Sequence, residues 1–184
     1  MKRLLALGLT LLVVAGASAT IIESEPNNSS ATANPVTRGP VIWADAGVFS
    51  LGAAGNDVDY VSINLNAGEI FTVITTPIAN LPLFNDPDTM MQLLDSGGAE
   101  VAFNDDANGL GSAIRYQVAA SGTYYVGVTG FGDRNFDGQL DSNPANGHGE
   151  SGPYVLTMSI VPEPSSLALL LLGGISALGR RFAK

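Results

Sequence analysis

Cysteine is absent from the 184 residues. That excludes a disulfide framework, thiol catalysis and Cys-ligated zinc. Histidine occurs once, as His148, so a Ser-His-Asp site has a single candidate and a multi-His metal site has none. His148 stands between Gly147 and Gly149, a context that predicts a solvent-facing loop side chain. Basic residues are scarce as well. Of eight Lys and Arg, five lie at the two ends of the chain, leaving Arg38, Arg115 and Arg134 against sixteen Asp and Glu between Thr20 and Val161. The net charge of that stretch is near −13, against −9 for the whole chain. Nucleic acid is excluded as a partner, because phosphate binding needs clusters of Lys and Arg. The acidity favours cations, either as bound Ca²⁺ or as a diffuse counterion cloud. No apolar run reaches the ~20 residues that span a bilayer comfortably.

Two shorter apolar runs are present, one at each end. Lys2 and Arg3 precede the apolar stretch Leu4–Val14, and Ala17-Ser18-Ala19 supplies a small-residue cleavage site. This is a secretory signal peptide over residues 1–19, with cleavage by signal peptidase expected after Ala19. At the other end, Pro162-Glu163-Pro164 precedes the apolar run Leu167–Leu178, followed by Arg180, Arg181 and Lys184. By the positive-inside rule the basic cluster stays on the cytoplasmic side. The segment 162–184 closely resembles the PEP-CTERM sorting signal of Gram-negative bacteria. The resemblance implies a hydrophobic helix, inner-membrane anchoring before processing, and a membrane protease, exosortase, as a processing partner. It also implies an exported protein of the envelope, cell surface or exopolysaccharide matrix.

The 142 residues from Thr20 to Val161 are one domain's length. Turn clusters break this body every ten residues or so, and short alternating runs lie between them. Val61, Ile63 and Leu65 alternate with Ser62 and Asn64, and Ala67-Gly68 turns the chain towards Phe71 and Val73. Met91 and Leu93 lead through Asp95-Ser96-Gly97-Gly98 to Val101 and Phe103, a predicted hairpin. Ile114, Tyr116 and Val118, then Tyr124, Val126 and Val128, then Tyr154, Leu156, Met158 and Ile160 alternate in the same way. No helical period stands out. Seven to nine short strands predict an all-β fold, two packed antiparallel sheets in a sandwich, with a β-barrel as the alternative.

Five pieces in order resemble the bacterial pre-peptidase C-terminal domain, a β-sandwich that often follows secreted proteases and collagenases. They are Glu23-Ser24-Glu25-Pro26-Asn27-Asn28, Asp57-Val58-Asp59-Tyr60, Asp88-Thr89 through Asn104-Asp105-Asp106, Ser121-Gly122-Thr123-Tyr124-Tyr125-Val126, and Gly152-Pro153-Tyr154-Val155-Leu156. One departure is an insertion of about 20 residues between Gly130 and Gly149. The resemblance implies a calcium site shared by the acidic opening and the first D-x-D. The matching positions are Glu23, Glu25, Asn27, Asn28, Asp57 and Asp59, with Asn28 where several relatives carry Asp.

The insertion holds a second candidate. Asp133, Asn135 and Asp137 alternate ahead of Gly138, and Gln139 and Asp141 follow. Oxygen donors at positions 1, 3 and 5 with Gly at 6 begin an EF-hand-type calcium loop, in which Gln139 would offer its carbonyl. Position 12 is Pro144 instead of a bidentate Glu, so affinity is expected to be weak. A third acidic group, Asp86, Asp88, Asp105 and Asp106, is read as turn-forming. No G-x-S-x-G, H-E-x-x-H or credible triad occurs, so the expectation is a non-enzymatic surface or matrix protein. A polysaccharide- or protein-binding module is the alternative, and a secreted hydrolase the weakest reading.

Overall fold

The computed structural model describes residues 21–52, 54–78, 86–107 and 109–163. The segment expected to be a signal peptide, with Ala17 and Ala19, lies outside the described residues, as do Pro164, the apolar run and Arg180 and Arg181. Eleven strands and no helix occur among the described residues: β1 Asn34–Val36, β2 Trp43–Leu51, β3 Asp59–Leu65, β4 Glu69–Pro77, β5 Thr89–Leu94, β6 Glu100–Asn104, β7 Ala113–Gln117, β8 Gly122–Gly130, β9 Gln139–Leu140, β10 Asn143–Gly147 and β11 Gly152–Pro162. Nine of them form a sandwich. One sheet runs β1-β3-β8-β5-β6 and the other β2-β11-β4-β7, while β9 and β10 pair separately within the insertion. The all-β antiparallel sandwich expected from the alternation is present, with one exception. β1 pairs with β3 in parallel.

The alternation dictates the core. Val61, Ile63 and Leu65 from β3, Phe71 and Val73 from β4, and Tyr154, Leu156, Met158 and Ile160 from β11 are all buried in one cluster between the sheets. Each fully buried aliphatic or aromatic side chain contributes about 1.5–3 kcal/mol. A second cluster, Val58, Tyr60, Met90 and Phe136, lies on the outer face of the five-stranded sheet, where Phe103 packs against it. Phe136 comes from the insertion, so the insertion covers that face. Arg134 lies over the Phe103 ring at 3.8 Å and forms a two-pronged ion pair with Glu100.

Chain reversals alternate between two poles, because successive sandwich strands run in opposite directions. At one pole lie the loops after β1, β3, β5 and β7, together with the exit of β11. At the other lie the acidic opening segment, the β2–β3, β4–β5 and β6–β7 loops and the insertion. That second pole carries twelve of the chain's seventeen Asp and Glu. Register places the first residue of the Pro-Glu-Pro motif within the sheet, with Pro162 opposite Glu69 at the end of β11.

Candidate metal centre

One asparagine grips the start of the acidic opening segment. Asn34, at the start of β1, accepts from the Ser24 amide at 2.9 Å and donates to the Ser24 carbonyl at 2.8 Å. Further along, the Tyr60 amide donates to the Asn27 carbonyl at 2.9 Å. These bonds lay Glu23–Asn28 beside the start of β3. There one carboxylate oxygen from each of Glu23, Glu25 and Asp59 falls within 4.8 Å of the others, the one such group among the described residues. Two oxygens on a common calcium ion, each at about 2.4 Å, are at most that far apart.

Asp59 is the buried centre of the group, 2% exposed. Its Oδ2 accepts the Tyr154 hydroxyl at 2.7 Å and its Oδ1 accepts Asn27 Nδ2 at 3.1 Å. Burial pushes the carboxyl up to about 8; the Tyr154 hydroxyl opposes this, and the charges of Glu23 and Asp57 add to it. Glu23 is raised as well, first by burial and further by Glu25 and Asp57, against the lowering effect of the Ser50 backbone. No Lys or Arg figures among these influences. Asn27, with no exposed surface, donates to Asn34 and Asp59, and its own Oδ1 is buried without a partner. An orphaned acceptor oxygen beside converging carboxylates is what a hard cation would satisfy. The residues present therefore fit calcium, and Glu23, Glu25, Asp59 and the Asn27 side-chain oxygen would hold it.

Asn28 and Asp57 stand at the edge of this group. Asn28 Nδ2 donates to Asp57 Oδ1 at 3.2 Å, and Asp57 Oδ2 accepts the Gly52 amide at 2.7 Å. Asp57 thus shapes the β2–β3 loop with one oxygen and ties it to the opening segment with the other.

His148 corrects the sequence expectation. It is 7% exposed, not solvent-facing, because the insertion folds back over the β2–β3 loop. Its Nδ1 accepts the Glu150 amide at 3.1 Å, which leaves the proton on Nε2 to bond the Asp57 carbonyl at 2.9 Å. Gly130 makes room for the ring, since a Cβ there would meet His148 Nδ1 at 2.1 Å. The ring ties the β2–β3 loop to the insertion, with both of its nitrogens engaged by backbone groups. His148→Ala is expected to lower stability by about 1–3 kcal/mol, the cost of leaving buried partners unpaired. Urea unfolding checks this; an unchanged midpoint would show that the contact contributes nothing.

The loop in the insertion is closed differently. Asp133 is fully buried, and its oxygens accept Thr129 Oγ1 at 2.6 Å, the Gly138 amide at 2.8 Å and the Asp137 amide at 3.1 Å. Asn135 and Asp137 bond each other at 3.1 Å, the Gln139 amide donates to Asp137 at 2.9 Å, and Asp141 accepts the Arg134 amide at 3.0 Å. Asp133, Asp137 and Asp141 do not form a three-carboxylate group of the kind made by Glu23, Glu25 and Asp59. Gly138 is required twice over. Its φ is +82°, and a Cβ would meet the Asn56 carbonyl oxygen at 2.3 Å.

Sequence reasoning missed Asn34, Ser50 and the Tyr154 hydroxyl. Asn34 carries no local signal, and Tyr154 reads only as a core aromatic.

The model of the bacterial pre-peptidase C-terminal domain matches residues 57–130. A Deinococcus radiodurans protein named "Probable subtilase-type serine protease" is 31% identical over 144 residues, covering 74% of this chain. The chain spans 18% of the length of that relative. Among solved structures, the Aeromonas hydrophila periplasmic inhibitor of g-type lysozyme, PliG, aligns with a TM-score of 0.43 at 20% identity, over 68% of this chain and 93% of its own. The pre-peptidase C-terminal domain of Bacillus anthracis collagenase aligns with a TM-score of 0.40 at 15% identity, over 60% of this chain and 86% of its own. The motifs, the sandwich and the matched segment agree on one conclusion: this chain carries a domain like the bacterial pre-peptidase C-terminal domain.

Proposed function

We propose that this protein is an exported, non-catalytic β-sandwich of the cell envelope, surface or extracellular matrix, stabilised by calcium and processed by exosortase. The observation that carries the calcium reading is the buried, unpartnered Asn27 oxygen beside Glu23, Glu25 and Asp59. The ion would tie the opening segment to β3 and relieve the repulsion among carboxylates that lack a basic neighbour. The Asp133–Asp141 loop is the weaker of the two candidate calcium sites, because its carboxylates already serve its own amides. A non-catalytic role is supported by the family match and by the single histidine, whose two ring nitrogens are both engaged with backbone.

Export and sorting rest on the signal peptide and on the Pro-Glu-Pro, apolar and basic sequence of the tail. Intact-mass measurement of protein from the native host is expected to show a start near Thr20 and a tail cut or altered near Pro162–Pro164. An unprocessed C-terminus on protein recovered from the extracellular fraction would remove the sorting reading. The second reading is a polysaccharide- or protein-binding module, with exopolysaccharide as its partner. Retention of the protein on the host's isolated polysaccharide, at moderate salt, distinguishes binding from mere residence in the matrix.

A further inference from the structure

Between Glu163 and the start of the apolar run at Leu167 stand Pro164, Ser165 and Ser166. At ~3.3–3.6 Å per residue, these steps reach at most about 14 Å. The headgroup layer of a bilayer takes up about 5–7 Å of that. An apolar run seated in the hydrocarbon would therefore hold the exit pole of the sandwich against the membrane surface.

The exit pole is suited to that position. Val161 is 41% exposed, Ile42 67% and Val41 46%. Ile42 precedes Trp43, whose register partner is Ile160, and Val161 follows Ile160, so the aliphatic side chains share one end of neighbouring strands. Charge at this pole is low. Glu69 is paired with Arg38 at 2.9 Å and Glu100 with Arg134 at 2.7 Å, Glu163 accepts a hydrogen bond from Gln117, Asp95 is bonded to the amides of its own turn, and Asp45 accepts the Ala46 amide at 2.8 Å. Twelve of the seventeen acidic residues lie at the other pole. The eleven residues of β11 span the distance between poles, about 34 Å at ~3.1 Å per residue for a twisted strand. That exceeds three Debye lengths of about 8–10 Å, so an anionic lipid surface at the exit pole would barely repel the acidic one.

We propose that the exit pole, with Val41, Ile42 and Val161 at its rim, rests on a lipid bilayer while the tail is inserted. The inference builds on the reading of the tail as a membrane-inserted segment. Contact of this kind orients the domain with its acidic pole outward and keeps the Pro-Glu-Pro motif at the interface, where a membrane protease works.

The chain's lack of cysteine permits a clean test. Ile42→Cys and Ile78→Cys, exposed sites at opposite poles of the same sheet, are made in the full chain and labelled with an environment-sensitive fluorophore. The proteins are reconstituted in vesicles of phosphatidylethanolamine and phosphatidylglycerol carrying acyl-chain nitroxide quenchers. The expected result is flotation of both proteins with the vesicles, and severalfold stronger quenching at position 42 than at position 78. A Val41→Cys protein should behave as Ile42→Cys does, which guards against a local effect of one substitution. Flotation with equal quenching at the two poles would overturn the apposition while sparing the tail reading. Failure to float would overturn both.

Discussion

Added Ca²⁺ is expected to raise the melting temperature, and the rise should be larger at higher pH. A ligand that binds only the folded state adds RT ln(1 + [L]/Kd), about 2.7 kcal/mol at 100 times Kd. For a domain of this size that corresponds to roughly 5–10 °C. The pH dependence comes from Asp59, whose carboxyl is pushed up to about 8 by burial. Its unfolded value is ~3.9. In EDTA, the stabilisation from its protonated form is complete below about pH 4, where both states hold the proton. It is lost as pH rises towards the folded value of about 8, because the unfolded chain releases the proton first. Calcium requires the carboxylate, so metal competes with proton and the calcium increment grows over the same range. Melting curves in EDTA should therefore fall with pH while the gap to the calcium curves widens. Asp59→Asn is expected to flatten the EDTA slope. Glu25→Gln, at an exposed member of the group, should lose most of the calcium response; Asp137→Asn should keep most of it. Identical melting in EDTA and in excess Ca²⁺ across the pH range would leave both acidic clusters as turns alone.

Truncating Tyr154 should be the most damaging single change near the site. The side chain is fully buried, stacks on Phe49 with ring centroids 5.9 Å apart, and donates to Asp59. Tyr154→Ala removes packing and hydrogen bond together, at an expected cost of about 3–5 kcal/mol. Tyr154→Phe keeps the ring and removes only the hydroxyl, at about 1–3 kcal/mol for leaving a buried oxygen unpaired. The difference separates the core from the site. Denaturant unfolding of both variants, with and without Ca²⁺, reads it out. If Tyr154→Phe unfolds like wild type in EDTA, the hydroxyl does not hold Asp59, and the geometry argued for the site fails.

The strands that face the main core on one side were legible because their inward positions are apolar without interruption. β3, β5, β7, β8 and β11 are all of this kind. β2 was not legible, since Asp45 and Gly47 occupy inward positions between Trp43 and Phe49. Gly47 is small for a tertiary reason: a Cβ there would meet the Ile21 carbonyl oxygen at 2.1 Å, where the opening segment crosses the sheet. The hairpin expected at Val101 and Phe103 is present as β5–β6, but the faces of its two apolar residues were not legible. A register shift between Leu93 and Leu94 places Phe103 on the outer face, while Val101 packs against the main core. The gathering of Glu23, Glu25 and Asp59 followed a motif order visible in the chain. The burial of His148 did not, because it arises from the insertion folding onto the β2–β3 loop, a contact between segments 91 residues apart. The partnerless Asn27 oxygen was invisible for the same reason, being a property of three converging segments.

β11 lies between β2 and β4 and is paired with both along its length, and the tail leaves from its C-terminal end. A pull on that end acts along the strand axis. Every hydrogen bond to the two neighbouring strands then carries a share of the force at once, instead of opening one after another from an edge. Unravelling under tension would require the two ladders to slide together. An attached tail would thus load the domain in shear along β11, with both neighbouring ladders sharing the force. A cation pinning the opening segment at the far pole would extend that resistance across the whole height of the sandwich.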